Sequence, residues 1–250
     1  MSRRILITRP LEEARAMANE IAAHGGQGLL FPVTQVLELH PSRTLGAILP
    51  DLVSGKNSPD WILFTSQRAV DIFFREFKKN HLANAFPRSI QVAAVGPTTE
   101  ERLKACGLPV HLVPKKHVAE GLLESLGEVT GKKILIPRSR EGREILSREL
   151  KERGALVTEI FLYTMEAITP EPALMEEARR GFDAVIFASP SGVRAFFKAT
   201  SGENWNLQEK LFFVMGAVTR AELEKHGNFN IRTAGIATSL GLVDAALNQV

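Results

Sequence analysis

The residues best suited to chemistry in this sequence are hydroxyls, and they recur in one context. Thr8, Thr65-Ser66, Thr98-Thr99, Ser189-Pro190-Ser191 and Thr219 each follow a short apolar run and precede a segment of helical periodicity. That is the carboxyl end of a strand where a helix starts. Taken singly, each reads as an N-cap, a side-chain oxygen accepting a hydrogen bond from first-turn amides. Taken together they read as a ligand site. In open α/β sheets ligands bind beyond the carboxyl ends of the strands, where helix N-termini present free N–H groups and a positive dipole. Arg9, Arg138 and Arg140 stand just past equivalent strands; they either add charge-assisted contacts to a bound anion or are solvated surface arginines. Tyr163 is the only tyrosine in the chain. It lies in an extended stretch, where a phenol faces either a cleft or the core.

Other chemistries lack their residues. There is no HExxH, CxxC or GxSxG, and the six histidines (24, 40, 81, 111, 117 and 226) show no metal-ligand spacing, so no metal site is expected. Residues 127–133 superficially suggest a phosphate loop, but the glycine spacing is one short and no Ser or Thr follows the lysine. A turn is the better reading. No GxGxxG follows a strand, which disfavours a nicotinamide cofactor. The lone Cys106 excludes an intrachain disulfide and reads as a small buried hydrophobe. Lys115-Lys116-His117 and Phe77-Lys78-Lys79 read as solvated faces.

The elements that must position these hydroxyls come in two copies. Ile5-Leu6-Ile7-Thr8-Arg9-Pro10, a helical pattern and Gly25 match Ile134-Leu135-Ile136-Pro137-Arg138-Ser139, a helical pattern and Gly154, at an offset of 134 − 5 = 129. Asp60 to Ser66 with Val70 and Phe73-Phe74 matches Asp183 to Ser189 with Val193 and Phe196-Phe197, at 187 − 64 = 123. Val95-Gly96 with Thr99, Leu103 and Gly107 matches Met215-Gly216 with Thr219, Leu223 and Gly227, at 216 − 96 = 120. Gly121-Leu122-Leu123 and Gly241-Leu242-Val243 close the series at the same offset. Four coincidences in matching order mean a duplication. Continuous apolar runs such as Ile5-Leu6-Ile7 predict strands covered on both faces, and their alternation with helical patterns predicts parallel sheets. Thr98 followed by Glu101 predicts a capping box at the start of one helix. Two stretches, 34–41 and 161–170, are extended, alternate in polarity and end in proline, as connectors would.

Composition sets the bounds. At about 150 residues per domain, 250 residues allow one large or two small domains. A 44% hydrophobic and 24% charged composition excludes disordered and collagen-like chains. No apolar run approaches a bilayer span, and the stretch from Met1 to Arg9 lacks the apolar core of a signal peptide, so a cytoplasmic address is expected. A net charge of +3 is compatible with an anionic ligand and weak support for nucleic acid.

The ordered series formed by residues 5–10, Phe-Thr-Ser-Gln-Arg-Ala-Val at 64–70, Ala-Val-Gly-Pro-Thr-Thr at 94–99, residues 134–139, Leu-Tyr-Thr at 162–164, Phe-Ala-Ser-Pro-Ser-Gly-Val at 187–193 and the Gly-plus-Thr turn at 216–219 resembles the uroporphyrinogen-III synthase family. The resemblance spans nearly the whole chain. It implies two similar parallel-sheet α/β domains from an internal duplication, joined by a two-stranded β-ladder, with the site in the cleft between them. Residues 1–35 with 170–250 would form one discontinuous domain, 42–161 the second, and 36–41 with 162–169 the ladder. It implies a cofactor-free lyase that cyclises hydroxymethylbilane with loss of water, inverting the last pyrrole ring through a spiro intermediate. Tyr163 would assist departure of the hydroxyl. Thr8, Arg9, Thr65, Ser66, Thr98, Thr99, Arg138, Ser189, Ser191 and Thr219 would contact the substrate. The expected partners are the linear tetrapyrrole and, transiently, the preceding pathway enzyme. Nucleic acid and membrane are not expected, and the chain would be a monomer. A second class stays open, a non-catalytic two-domain protein that binds or senses a polycarboxylate.

Overall fold

Strand β1 (Arg4–Ile7) shows how the apolar runs organise the chain. Ile5, Leu6 and Ile7 are all fully buried, and each side chain of this kind contributes about 1.5–3 kcal/mol by leaving water. A helix on each face of the sheet is needed to bury both sides. The computed structural model of the chain describes residues 2–80, 82, 86–142 and 144–248, so His81 lies outside the described residues.

After β1 come helix α1 (Leu11–Ala23), strand β2 (Gln27–Leu30) and strand β3 (Thr34–Glu38). Helix α2 (Pro41–Ser54), strand β4 (Trp61–Phe64), helix α3 (Gln67–Lys79), strand β5 (Gln91–Ala94) and helix α4 (Pro97–Ala105) follow. Next are helix α5 (Ala119–Ser125), strand β6 (Lys133–Ser139), helix α6 (Ile145–Glu152) and the long strand β7 (Leu156–Ala167). Helix α7 (Pro172–Arg179), strand β8 (Ala184–Phe187), helix α8 (Pro190–Ala199), strand β9 (Leu211–Val214), helix α9 (Ala217–Glu224), strand β10 (Asn230–Thr233) and helix α10 (Ser239–Asn248) complete the order.

The strands form two sheets among the described residues. The first runs β10-β9-β8-β1-β2 and is parallel throughout. The second runs β3-β7-β6-β4-β5, with the β7–β6, β6–β4 and β4–β5 pairs parallel. Beside β5, Leu112 makes a parallel bridge to Ala93, where the first sheet has β10 beside β9. Matched by the repeat, β6 corresponds to β1, β7 to β2, β4 to β8 and β5 to β9. Both sheets are therefore the same doubly wound α/β arrangement, and the fold class is α/β by duplication. In each, the winding reverses once, between β1 and β8 in the first and between β6 and β4 in the second. Such reversals open crevices at the carboxyl ends of the strands.

The β3–β7 pair runs the other way. Leu39 N–H donates to Leu162 C=O (2.9 Å) at one end, and Ile168 N–H donates to Val33 C=O (2.9 Å) at the other. Both pairs of numbers sum to 201, the mark of an antiparallel register. Gln35 Nε2 donates to Glu166 Oε2 across this ladder at 2.7 Å. The chain divides into two units, Met1–Val36 with Met165–Val250 (unit 1) and Leu37–Thr164 (unit 2), and both divisions fall inside ladder strands. Where the sequence predicts a ladder strand only over 162–169, β7 is twelve residues long. Its first half pairs with β6 and its second half with β3, so one strand serves both sheet and ladder.

Each unit packs its own aromatic core. In unit 1, Trp205 lies edge-on or tilted against Phe31, Phe182 and Phe196, with centroids 5.2–6.1 Å apart. In unit 2, Phe64 meets Phe73 edge-on at 5.4 Å, and Phe73 stacks on Phe77 at 6.1 Å. Phe77 is fully buried, which corrects its reading as part of a solvated face. Helical periodicity turns residues 70, 73, 74 and 77 of α3 to the sheet while Lys78 and Lys79 stay exposed. Gly121 and Gly241 of the repeat share one requirement. A Cβ at either would collide with a backbone carbonyl oxygen, that of Lys116 or Ile236, five residues earlier.

Candidate active site

The crevice of unit 2 is built where β4 and β6 diverge. β4 ends at Phe64, and Ser66 in extended conformation starts α3, its Oγ accepting a hydrogen bond from Ala69 N–H at 3.1 Å. Across the crevice, β7 carries a bulge. Arg138 pairs with Phe161, but the next residue, Ser139, pairs with Tyr163. The extra residue, Leu162, turns the following side chain, which is what bulges near sites do. Arg140 N–H donates to Tyr163 C=O at 2.9 Å and fixes the backbone there. The result is a phenol that is 7% exposed, with Oη 3.1 Å from Ser66 Oγ and the Arg68 guanidinium 5.9 Å from the ring centroid. Tyr163 and Ser66 lie on the wall of a pocket of about 370 Å³, together with Thr65, His117, Arg138 and Glu159.

Arg138 differs from its sequence-based placement. It lies within β6 instead of just past it, because β7 continues alongside and keeps β6 in register through Ser139. It is therefore buried, with Nε 3.1 Å from Glu159 Oε1 and its guanidinium 5.3 Å from the Phe161 ring centroid. Lys151 Nζ lies 3.7 Å from the other oxygen of Glu159. Arg140, two residues further on, is exposed.

Unit 1 presents the equivalent crevice between β1 and β8. Thr8 is buried, and its Oγ1 donates to Ile186 C=O at 2.7 Å. It is not an N-cap, because α1 starts only at Leu11, after Pro10. Arg9 donates to Ser239 Oγ at 2.6 Å and lies 2.5 Å from Glu13 Oε2. Ser189 starts α8 and accepts from Gly192 N–H at 3.2 Å, while its Oγ lies 3.0 Å from Ser191 Oγ.

The expected capping box of Thr98 and Glu101 is not formed. Helix α4 starts at Pro97, whose fixed φ suits the first helical position, so Thr98 and Thr99 become the second and third residues. Thr98 is exposed and its carbonyl accepts from Gln67 Nε2 at 3.1 Å, whereas Thr99 is buried. Helix α9 repeats this geometry, with Thr219 buried at its third position and Val218 exposed before it. Of the hydroxyls singled out, Ser66 and Ser189 cap helices. The structure brings Thr65, Ser66, Arg138 and Tyr163 to one pocket in unit 2, and Thr8, Arg9, Ser189 and Ser191 to one strand-end region in unit 1.

Sequence reasoning missed two titratable pocket residues. Glu159 stands beside Thr158 in β7, a strand that mixes polar and apolar residues, so no local signal marked it. His117 belongs to the run read as a solvated face; it is exposed, yet it lines the pocket, and a Cβ at Gly96 would sit 3.1 Å from its own Cβ. Cys106 is half-buried, and burial pushes its thiol up from the ordinary range, away from thiolate chemistry. Among the described residues, no group of three or more His, Cys, Asp and Glu could hold a metal ion. No helix among them is long and apolar enough to cross a membrane.

Comparison with known proteins agrees with this architecture. The family model for uroporphyrinogen-III synthase HemD matches residues 15–244. A Methanothermobacter thermautotrophicus protein provisionally named uroporphyrinogen-III synthase is 32% identical over 234 residues, 88% of each chain. The uroporphyrinogen-III synthase of Chlorobaculum parvum is 25% identical over 89% of each. Among solved structures, a mutant uroporphyrinogen III synthase of Thermus thermophilus aligns over 99% of this chain and 100% of its own, with a TM-score of 0.65 and 20% identity. That of Helicobacter pylori aligns over 98% and 99%, with a TM-score of 0.62 and 16% identity. Fold and sequence together define a duplicated α/β enzyme of the porphyrin pathway, not a non-catalytic polycarboxylate receptor. The chain belongs to the uroporphyrinogen-III synthase family.

Proposed function

We propose that this chain closes hydroxymethylbilane to uroporphyrinogen III and that Tyr163 takes part in the first step. The observation that carries this reading is the Tyr163 phenol, 3.1 Å from the Ser66 hydroxyl in the crevice where β4 and β6 diverge. Departure of the substrate's hydroxyl leaves an electrophilic azafulvene, and a phenol donating to that hydroxyl eases its loss as water. The substituted carbon of the last pyrrole then attacks to give a spiro intermediate. The bond from that ring to the neighbouring bridge breaks and re-forms at its other α carbon, which inverts the ring. Loss of the ring proton restores aromaticity. These steps need no cofactor.

Positioning supplies the rest. Unaided, the bilane closes to the symmetric isomer, so the enzyme must hold the end ring in the attacking orientation. Thr65 and Thr98, with the N-terminus of α3, offer donors to substrate carboxylates in unit 2, and the buried Arg138 adds charge. Arg9, Ser189 and Ser191 make the equivalent donor set of unit 1. Thr8, Thr99 and Thr219 lie beneath the surface and support these turns from below. The same reading makes the chain a cytoplasmic monomer that takes its substrate from the preceding enzyme in transient contact, which sedimentation of the chain with and without that enzyme checks.

The test is to supply hydroxymethylbilane, oxidise the product and resolve the isomers. Isomer III is expected from the native chain. Isomer I alone would overturn the proposal.

A further inference from the structure

We propose that Ser66 is a positioning residue that donates its hydrogen to the Tyr163 oxygen, so that the phenol turns its own hydrogen to the departing hydroxyl. The inference rests on the role given to Tyr163 above and deepens it. A serine hydroxyl has one hydrogen and two acceptor positions. Ala69 N–H occupies one acceptor position of Ser66 at 3.1 Å. The 3.1 Å separation of Ser66 Oγ and Tyr163 Oη admits a donor on either side.

Two features select serine as the donor. Ser66 starts the thirteen-residue α3, where unpaired N–H groups and the helix dipole draw electron density from its oxygen. Accepting from Ala69 polarises the same O–H bond further. The chain Ala69 N–H to Ser66 O–H to Tyr163 O–H thus runs in one direction, and its last hydrogen points away from the serine. As that hydrogen moves toward the leaving oxygen, the serine hydrogen stabilises the charge gathering on the phenol oxygen. The reverse direction would commit the phenol's hydrogen to serine.

The second copy of the repeat shows what has been redirected. Ser189 caps α8 as Ser66 caps α3, but its remaining bond goes to Ser191, 3.0 Å away. The residue equivalent to Ser191 is at 191 − 123 = 68, which is Arg68. With no local serine beside it, Ser66 meets the phenol from β7 instead. At 163 − 129 = 34, the other copy has Thr34 where this one has Tyr163.

The chain's single tyrosine makes donation from Ser66 to the phenolate oxygen measurable without substrate, by following tyrosinate absorbance in the near ultraviolet as pH is raised. A serine that donates to the phenolate holds the titration midpoint down, so removing that donor raises it. Ser66→Ala is expected to raise it. Ser66→Gly should do the same while keeping a good helix cap, and Ser66→Thr should restore the native value. The other charged or titratable groups about the pocket, Arg68 from α3, Arg138 from β6, Glu159 from β7 and His117 before α5, stay in place in all three.

With hydroxymethylbilane, Ser66→Ala should lower kcat about tenfold, the scale of one hydrogen bond, with KM little changed. In a Tyr163→Phe background the same substitution should cost no further activity, because it acts through the phenol. A lowered or unchanged titration midpoint, or multiplicative losses in the double variant, would overturn the proposal. Failure of the Tyr163 reading looks different: Tyr163→Phe alone would turn over normally, whatever the titration shows.

Discussion

In unit 1 the residues at the strand ends use their hydrogen bonds on one another. Thr8 bonds the Ile186 carbonyl, Arg9 is held by Glu13 and Ser239, and Ser189 faces Ser191. In unit 2 the equivalent turn meets a side chain that the other copy lacks, the Tyr163 phenol delivered by the bulge in β7. The guanidinium positions differ as well. Arg9 is partly open to solvent beside Glu13, whereas Arg138 is almost wholly buried beside Glu159. Duplication has supplied both crevices with the same strands and helix N-termini. One extra residue in a strand and one aromatic side chain separate a crevice that holds a phenol from one that does not.

Substitutions that break this contrast should rank in a definite order. The largest effect is expected from Glu159→Ala, which leaves a buried guanidinium without its carboxylate and should cost about 3 kcal/mol in urea unfolding. A loss below that of an exposed pair would mean Arg138 is solvated in solution. Tyr163→Phe should lower kcat about 100-fold with the melting temperature nearly unchanged, since the hydroxyl alone is removed. Thr8→Val should cost about 1–2 kcal/mol of stability, because a buried donor to Ile186 is lost, while the isomer ratio stays native. The smallest effect belongs to Glu13→Ala. Its partner Arg9 is partly exposed, so the loss should stay within about 1 kcal/mol and shrink with added salt.

The duplicated strands were legible because burial on both faces leaves runs such as Ile5-Leu6-Ile7 and Ile134-Leu135-Ile136, which no solvent-facing segment would carry. Ser66 and Ser189 were legible as caps for the same local reason. Thr98 was not, because Pro97 competes for the first helical position and wins by its preset φ. Arg138 was misplaced because the end of a strand depends on how far its neighbour continues, and β7 is distant in sequence. The bulge at Leu162 leaves no local mark at all. His117 and Glu159 reach the pocket from separate loops and strands, so tertiary packing alone brings them to it.

The position of β1 has a consequence for the synthesis of the chain. It lies between β2 and β8, and its neighbour Ala184 follows Ile5 by 184 − 5 = 179 residues. Unit 2 is continuous, so it can fold on the ribosome while β1 still lacks one flank. At typical translation rates that interval lasts about 10–40 s. During it a four-residue strand with three apolar side chains and an open edge is available to chaperones and to neighbouring nascent chains. Chains stalled just after β7 should therefore protect unit 2 from protease while residues 4–30 remain cleavable. The first strand to be made is among the last to be enclosed, and the speed of elongation becomes a determinant of yield.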